Sequence, residues 1–503
     1  MEAQRGTMNM SPARFKSLRK VAAQIAVVLV VLTGLTAPLR AQSIWELTPY
    51  RIQTWFVIQP QPLIPQKAVA ELSAAVQREA GAALRSVWKV ESSPVPDAYR
   101  ETFLSLKQPA ADDLLGVETG LEAFDKLFVF TVSVAGNGYQ LDVCELDIRT
   151  RVWSPWQQRQ TDRWSTITQE AFALMCDVFV PLVRIQRVKD DQVTALVKAG
   201  ALQRPKSSVR HWQTPTEIKP GDVLQPIIRR TNRNGKVEPG GTKPIQWTVL
   251  LVEDQTGGVL TCKTFSGYRQ PFNARRSSRV EQLALLIRPE HESTILRLHD
   301  RRNQDQPLAG YDVFARQPDS KTSDFVGRTN WRGELEVFPD EENLIRMLYV
   351  KSGNQLLGKL PVIPGYQSLL TAPLRNDDRR LEAEGFLLGI QESLVDLVAR
   401  REVLSNRIRA KIDRGEFDEA EELLDQLRGL DTQEDFASRV QQRKQGLTAV
   451  DSQVQQKIDK LFADTRALLG KFLDPSRVQQ LQAEIEAARK GEPAANDEDD
   501  DQN

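Results

Sequence analysis

An enzyme needs a nucleophile, a base or a metal with a partner within reach, so the residues able to do chemistry come first. His211, His291 and His299 are the three histidines. None stands in a His-Glu-x-x-His run or another metal-ligand spacing, and each reads as a surface or loop residue. Cys144, Cys176 and Cys262 are the three cysteines, without the Cys-x-x-Cys pairs of a metal frame. Three buried thiols is the favoured reading. A Cys144–Cys176 disulfide stays open, because one falls in an expected strand and the other in the following helix. Gly257 to Thr264 nearly spells a phosphate loop, but Cys262 stands where backbone must approach the phosphate, and a hairpin is expected there rather than a helix start. Ser86-Val-Trp-Lys89 begins a strand, and the neighbouring acids Asp112-Asp113 and Glu341-Glu342 point apart. The expectation is no enzyme: no catalytic residue, no cofactor and no metal ligand.

Two groups of residues could bind rather than react. Trp153, Trp156 and Trp164, interleaved with Arg151, Arg159 and Arg163, offer an aromatic platform for a glycan or a partner; the alternative is a cluster packed on its own domain. Arg229, Arg230, Arg233, Arg275, Arg276 and Arg279 could meet an anionic polymer such as cell-wall material; the alternative is solvated loop charge. Basic and acidic residues number 67 each, so no global charge points to nucleic acid, and no nucleic-acid partner is expected. Residues 1–41 hold six basic groups and one acid, which leaves 61 basic against 66 acidic groups and a net charge of −5 in the remainder.

That asymmetry belongs to the first segment. A basic stretch ends at Arg19-Lys20, an apolar run follows from Val21 to Ala37, and Pro38 and Ala41 precede Gln42. This is the layout of a secretory signal peptide over residues 1–41; an uncleaved N-terminal anchor is the alternative. No second long apolar run follows, so no transmembrane span is expected after signal removal. The expected location is the periplasm, the cell envelope or the extracellular space.

Stepping along the chain, 503 residues suit roughly three or four domains at ~100–200 residues each. Residues 42–190 read as an α/β domain: a strand at Tyr50–Ile58, a helix over Ala68–Leu84 on Val69, Leu72, Val76, Ala80 and Leu84, a hairpin turning at Asn137-Gly138, and a helix capped by a Thr166/Gln169 box. In element order alone, with no shared motif, this resembles the small domains of exported bacterial envelope-assembly proteins. Residues 191–290 read as a β-rich domain punctuated by Gly221-Asp222, Asn234-Gly235, Gly240-Gly241 and Gly257-Gly258.

Residues 293–375 carry Pro307-Leu-Ala-Gly-Tyr-Asp-Val313 and then Gly327-Arg-Thr-Asn-Trp-Arg-Gly-Glu-Leu335. Asn330 and Gly333 supply turn geometry between two strands, with Leu335 and Val337 alternating inward. These motifs resemble the carboxypeptidase-regulatory-like (transthyretin-like) β-sandwich, with Asn330 where aspartate is frequent. The resemblance implies an independent antiparallel sandwich used as a spacer or binding module, and no chemistry.

From Leu381 the pattern turns helical. Leu387, Ile390, Leu394, Leu397, Leu404 and Ile408 mark one stripe, interrupted by Arg401. Asp413-Arg-Gly415 ends that helix, and a short one follows over Glu416–Leu430. A long third helix is expected over Glu434–Phe472 on Val440, Leu447, Val450, Val454, Leu461 and Leu468, and a last one after Asp474-Pro475. Residues 381–490 thus form a coiled-coil-like helical segment, paired within one chain or between two, and 491–503 an acidic disordered tail. The fold class is multi-domain α+β: an N-terminal α/β domain, β-rich modules including a β-sandwich, and a C-terminal α-helical coiled-coil-like segment. The expected function is a non-enzymatic scaffold or protein-interaction protein of the envelope or periplasm, with protein partners on the helical segment. The alternative is a glycan- or ligand-binding protein using the Trp153–Trp164 region.

Overall fold

A computed structural model describes residues 44–491 except 60, 63, 65–66, 116–119, 203–214, 273–278, 317–321 and 341–342. The expected signal segment, His211, Arg275, Arg276 and residues 492–503 of the expected tail lie outside the described residues. The fold is multi-domain α+β, and the chain divides into two units, residues 1–287 and 288–503.

In the first unit, β1 (Tyr50–Ile58) is buried on both faces from Ile52 onward, with an unbroken apolar run over Trp55–Ile58. It pairs in parallel with β2 (Trp88–Ser92) and β3 (Lys126–Ala135), and parallel strands covered on both sides read in this way. The crossover from β1 to β2 is α1 (Ala68–Leu84), which buries Ala68, Leu72, Val76 and Ala80. Val69, expected in that stripe, is exposed, because Ala68 takes the inward position one residue earlier. A hairpin joins β3 to β4 (Gly138–Asp147), and β5 (Val152–Trp153) and β6 (Gln157–Thr161) both pair with β4. The turn is Gly136-Asn137, one residue ahead of the expected pair, with φ +60° at Gly136. Gly138 is needed for another reason: a Cβ there would lie 2.6 Å from the carbonyl oxygen of Thr161. After short helices α2 (Asp97–Leu104) and α3 (Ala111–Leu114) on the other face of the sheet, α4 (Ile167–Val178) packs beside α1. The expected capping box at its start does not form; Thr166 donates to the carbonyl of Arg163 instead.

The next seven strands are β7 (Leu182–Lys189), β8 (Gln192–Val197), β9 (Val223–Thr231), β10 (Val237–Pro244), β11 (Thr248–Thr256), β12 (Val259–Ser266) and β13 (Val280–Leu286). Their order is β10-β9-β11-β12-β8-β7-β13, with β13 returning to β9. Six strands therefore close a ring, and β10 extends it. Closure leaves those six without an open edge. The interior is apolar, with Val183, Ala195, Leu224, Leu250, Leu260 and Ala284 buried together. Because β7 belongs to this ring, the α/β part ends near Pro181, ahead of the boundary expected at residue 190.

The second unit opens with β14 (Thr294–Asp300), β15 (Asp312–Arg316), β16 (Asp324–Arg328), β17 (Glu334–Val337), β18 (Arg346–Ser352), β19 (Gln355–Val362) and β20 (Leu369–Leu374). They form two sheets, β17-β14-β20 and β16-β15-β18-β19. Leu335 lies against Gly327 and Leu374 against Gly358, so side chains of one sheet reach the other. The expected turn is present: Asn330 Oδ1 accepts from the backbone N–H of Arg332 (2.8 Å) and Glu334 (2.9 Å), and Gly333 sits at φ +72°. The sandwich is not wholly antiparallel as expected, since β14 and β20 run parallel. His299, expected at the surface, is buried in β14 with Nδ1 2.9 Å from the carbonyl oxygen of Asp300.

Five helices follow: α5 (Asp378–Asp413), α6 (Phe417–Arg428), α7 (Gln433–Gly446), α8 (Ser452–Phe472) and α9 (Ser476–Lys490). The single helix expected over Glu434–Phe472 is two. Asp451 caps α8 by accepting from the backbone N–H of Gln453 (3.0 Å), a start signal in mid-pattern. Val450 is consequently in solvent and Leu468 partly so, whereas Leu447 stays buried outside any helix. Leu387, Ile390, Leu394 and Leu397 of α5 share one core with Val440, Leu447, Val454 and Ile458, against which Leu461 packs half-buried. Ile408 shares a second core with Leu424, Leu427, Leu481 and Ile485, with Leu404 at its margin.

Candidate interaction surfaces

Helix α5 connects everything in the helical segment, touching α6, α7, α8 and α9. Its two cores meet at a polar belt. Arg401, at an apolar-stripe position, donates from Nη2 to the carbonyl oxygen of Asp431 (2.9 Å), and Ser405 donates back to the carbonyl of Arg401 (2.7 Å). Arg401 Nε has no hydrogen-bond partner, and burial pulls the guanidinium below its ordinary proton affinity. The side of α5 away from both cores is apolar as well: Leu388 and Val395 are 57% and 67% exposed. A lone exposed leucine is ordinary, whereas several apolar side chains in line on one helix are not.

Where the sandwich meets the helices, a cleft of about 460 Å³ is lined by Arg301, Arg302, Arg375 and Arg379 together with Asp300, Asp378, Glu382 and Asp451. Three of its arginines converge on Asp451, Arg301 at 3.1 Å, Arg302 at 3.8 Å and Arg375 at 4.0 Å. Burial raises the Asp451 carboxyl, but backbone N–H groups of Gln453 and Val454 and the arginines hold it below its ordinary value. With four acids against four arginines, this cleft shows no excess of either charge.

The tryptophans separate. Trp153 and Trp156 pack on the core that holds Phe103, and Trp153 Nε1 donates to the carbonyl of Pro109 (2.9 Å). Trp164 packs on the opposite face of the sheet, edge-on to Tyr139. No single platform contains all three. Of the arginines, Arg229 pairs with Glu281 (2.8 Å), Arg230 and Arg233 are exposed, and the Arg279 carbonyl accepts from Thr231 (2.9 Å). The three cysteines are free; Cys144 and Cys176 face opposite cores.

One constellation escaped sequence reasoning. Lys126 at the start of β3 is fully buried, with Nζ 2.5 Å from Glu145 and 2.7 Å from Asp147. Asp147 thus holds the ammonium as the second member of the ion cluster. Lys126 also donates to the carbonyl of Val180 (2.6 Å), while Glu145 accepts from the Val180 N–H (2.9 Å). The ion cluster thereby clamps the link from α4 into β7. Burial pushes the Glu145 carboxyl up to about 7 against the pull of Lys126; burial would lower Lys126, but the two carboxylates hold it above its ordinary value. Beside it, Trp45 is ringed by Arg149, Arg184 and Lys198, each 4.8–5.1 Å from its ring. Lys126, Glu145 and Asp147 are all sealed from solvent. The signal that could have found them is the placement of Glu145 and Asp147 on one strand face, opposite Lys126 across the hairpin.

Among the described residues, no group of three or more His, Cys, Asp or Glu side chains is arranged to hold a metal ion, and no helix is long and apolar enough to cross a membrane. No family model and no curated protein matches the chain. Solved structures similar to parts of it include the hypothetical protein CT253 from Chlamydia trachomatis, at 13% identity and TM-score 0.18 over 22% of this chain and 71% of that one. Lipoprotein GNA1162 from Neisseria meningitidis is similar at 17% identity and TM-score 0.15, over 26% of this chain and 96% of its own. TolB from Acinetobacter baumannii is similar at 8% identity and TM-score 0.18, over 65% of this chain and 96% of its own.

Proposed function

We propose that this chain is an exported, non-enzymatic scaffold or protein-interaction protein of the cell envelope or periplasm, engaging protein partners through its helical segment. The observation that carries the reading is the exposed apolar side of α5, held rigid by two cores on its other side. The export part rests on the basic, apolar and small-residue order of residues 1–41. A glycan-binding role has less behind it, because Trp153 and Trp164 pack into opposite cores. A photo-crosslinking residue placed at Val395 in the producing cell tests the proposal. A discrete protein adduct is expected there and not from the same probe at exposed Arg233. Equal labelling at both positions, or adducts at Arg233 alone, overturns it.

A further inference from the structure

Deepening that reading, we infer that the partner of the outer face of α5 is a second copy of this chain, docked antiparallel. At 3.6 residues per turn, Leu381, Leu388, Val395, Ala399, Val403 and Ala410 fall on the side opposite the buried stripe, and all six are exposed. Gly385, Glu392 and Asn406 complete the line, and Asp396 is a second acid on the same face, beside Val395. From Leu381 to Ala399 the steps alternate four and three residues, the spacing of a coiled-coil seam. A further step of four to Val403 is a stutter, which such seams absorb by local unwinding. The line spans roughly 44 Å at ~1.5 Å per residue.

The line is self-complementary. Folded back on itself about the point between Val395 and Asp396, it sets Leu381 opposite Ala410, Leu388 opposite Val403 and Gly385 opposite Asn406, with Val395 and Asp396 each beside its own copy. Larger residues thus meet smaller ones, and each pair recurs by symmetry, as a two-fold interface requires. Toward both ends of the line charge agrees, while at its centre the two Asp396 meet as like charges. Glu382 and Glu384 flank its first half, Arg407 and Arg409 its second. An antiparallel pair brings Glu382 near the other copy's Arg407 and Glu384 near its Arg409. A parallel pair in register would set glutamate against glutamate and arginine against arginine. Glu382 and Arg409 also bind Arg443 and Glu484 within the chain, so contact between copies extends existing ion pairs into networks. Glu402, an acid in the basic half, is occupied by Arg477 at 2.7 Å.

Sedimentation of the protein as its own cell processes it, over a wide concentration range, tests the inference. The expected mass is two chains for the natural sequence and one for Val395→Glu, which sets two further acids beside the two Asp396 at the symmetry axis, with unchanged helical circular dichroism at low temperature. Oxidising a mixture of the Leu381→Cys and Ala410→Cys variants should join unlike copies, while Leu381→Cys alone should not join to itself beyond the natural cysteines' background. A natural protein that stays a single chain throughout overturns the second copy. If the Val395 photo-probe still captures another protein, the partner reading survives that failure; if it captures nothing, both fall. A Leu381–Leu381 crosslink overturns the antiparallel arrangement.

Discussion

The two units invert the usual partition of side chains in opposite senses. In the first, Lys126, Glu145 and Asp147 carry charge with no access to water; in the second, Leu388 and Val395 stand in it. Removing a carboxylate or ammonium from water costs several kcal/mol, returned only through close partners. The Lys126 cluster therefore locks one arrangement: β3, β4 and the Val180 link must all be in place before the charges are satisfied. An exposed leucine costs a folded chain little, yet gains about 25 cal/mol for each Å² later covered. Buried charge here specifies how the chain meets itself, while the exposed apolar surface is free of such a constraint and is where the proposed association would gain.

The contrast is sharpest within α5, where Leu394 is buried and Val395 is not. Leu394→Asp with Val454→Asp places two unpaired carboxylates in one core, and together they should cost at least about 5 kcal/mol, enough to melt the helical segment. Val395→Lys, one residue away, should stay within about 0.5 kcal/mol of the natural chain when both are melted dilute enough to be single chains. Helical circular dichroism through a thermal melt measures both. Unchanged melting in the double variant would mean that the stripe is not packed as described.

Next in size is Lys126→Met. It strands Glu145 and Asp147 together without a cation and should destabilise the first unit by about 3–5 kcal/mol in urea unfolding. Adding Glu145→Gln should recover part of that loss. A cost below about 1 kcal/mol would show that water reaches the cluster.

The same cluster sets a pH dependence. Burial raises the Glu145 carboxyl from its ordinary 4.5 to about 7 in the folded chain, so between those values the folded state holds the proton that the unfolded state releases. Stability from this group is fully present below pH 4.5 and is lost as pH rises through 7, by up to about 3 kcal/mol. Glu145→Gln should flatten the profile in that window; an equal slope in both proteins would locate the titration elsewhere.

How far such features could be read ahead of the structure depended on locality. The stripe from Leu387 to Ile408 and the Asn330–Gly333 turn were legible because residues a few positions apart determine them. The break before α8 was hidden because Val440, Leu447 and Val454 keep a helical rhythm across residues that are not helical. Closure of β9 on β13 depends on partners some fifty residues apart and leaves no local mark. The Lys126 cluster was lost through one residue of turn register. A turn at Asn137-Gly138 pairs Lys126 with Arg149, and like charges suggest nothing. The actual turn at Gly136-Asn137 pairs it with Asp147.

The smallest expected effect lies at Arg401, where the two regions' logics meet: a half-buried charge inside the apolar stripe of α5. Unlike Lys126 it has no carboxylate partner among the described residues, only the Asp431 carbonyl, and its Nε is unmatched. Arg401→Met forfeits one charged hydrogen bond, worth about 1.5–3 kcal/mol when buried and less when half in water. It also removes the desolvation of the guanidinium and lets the cores around Leu397 and Ile408 run together. These contributions oppose each other at similar size, so the net change should fall within about 1 kcal/mol, with methionine filling the irregular gap. Thermal melts of the two proteins measure it. A loss above about 2 kcal/mol would mean that the Asp431 contact fixes the path from α6 into α7. An unchanged melt with altered association would make Arg401 a partner contact, and would move the interaction face from the outside of α5 to its flank.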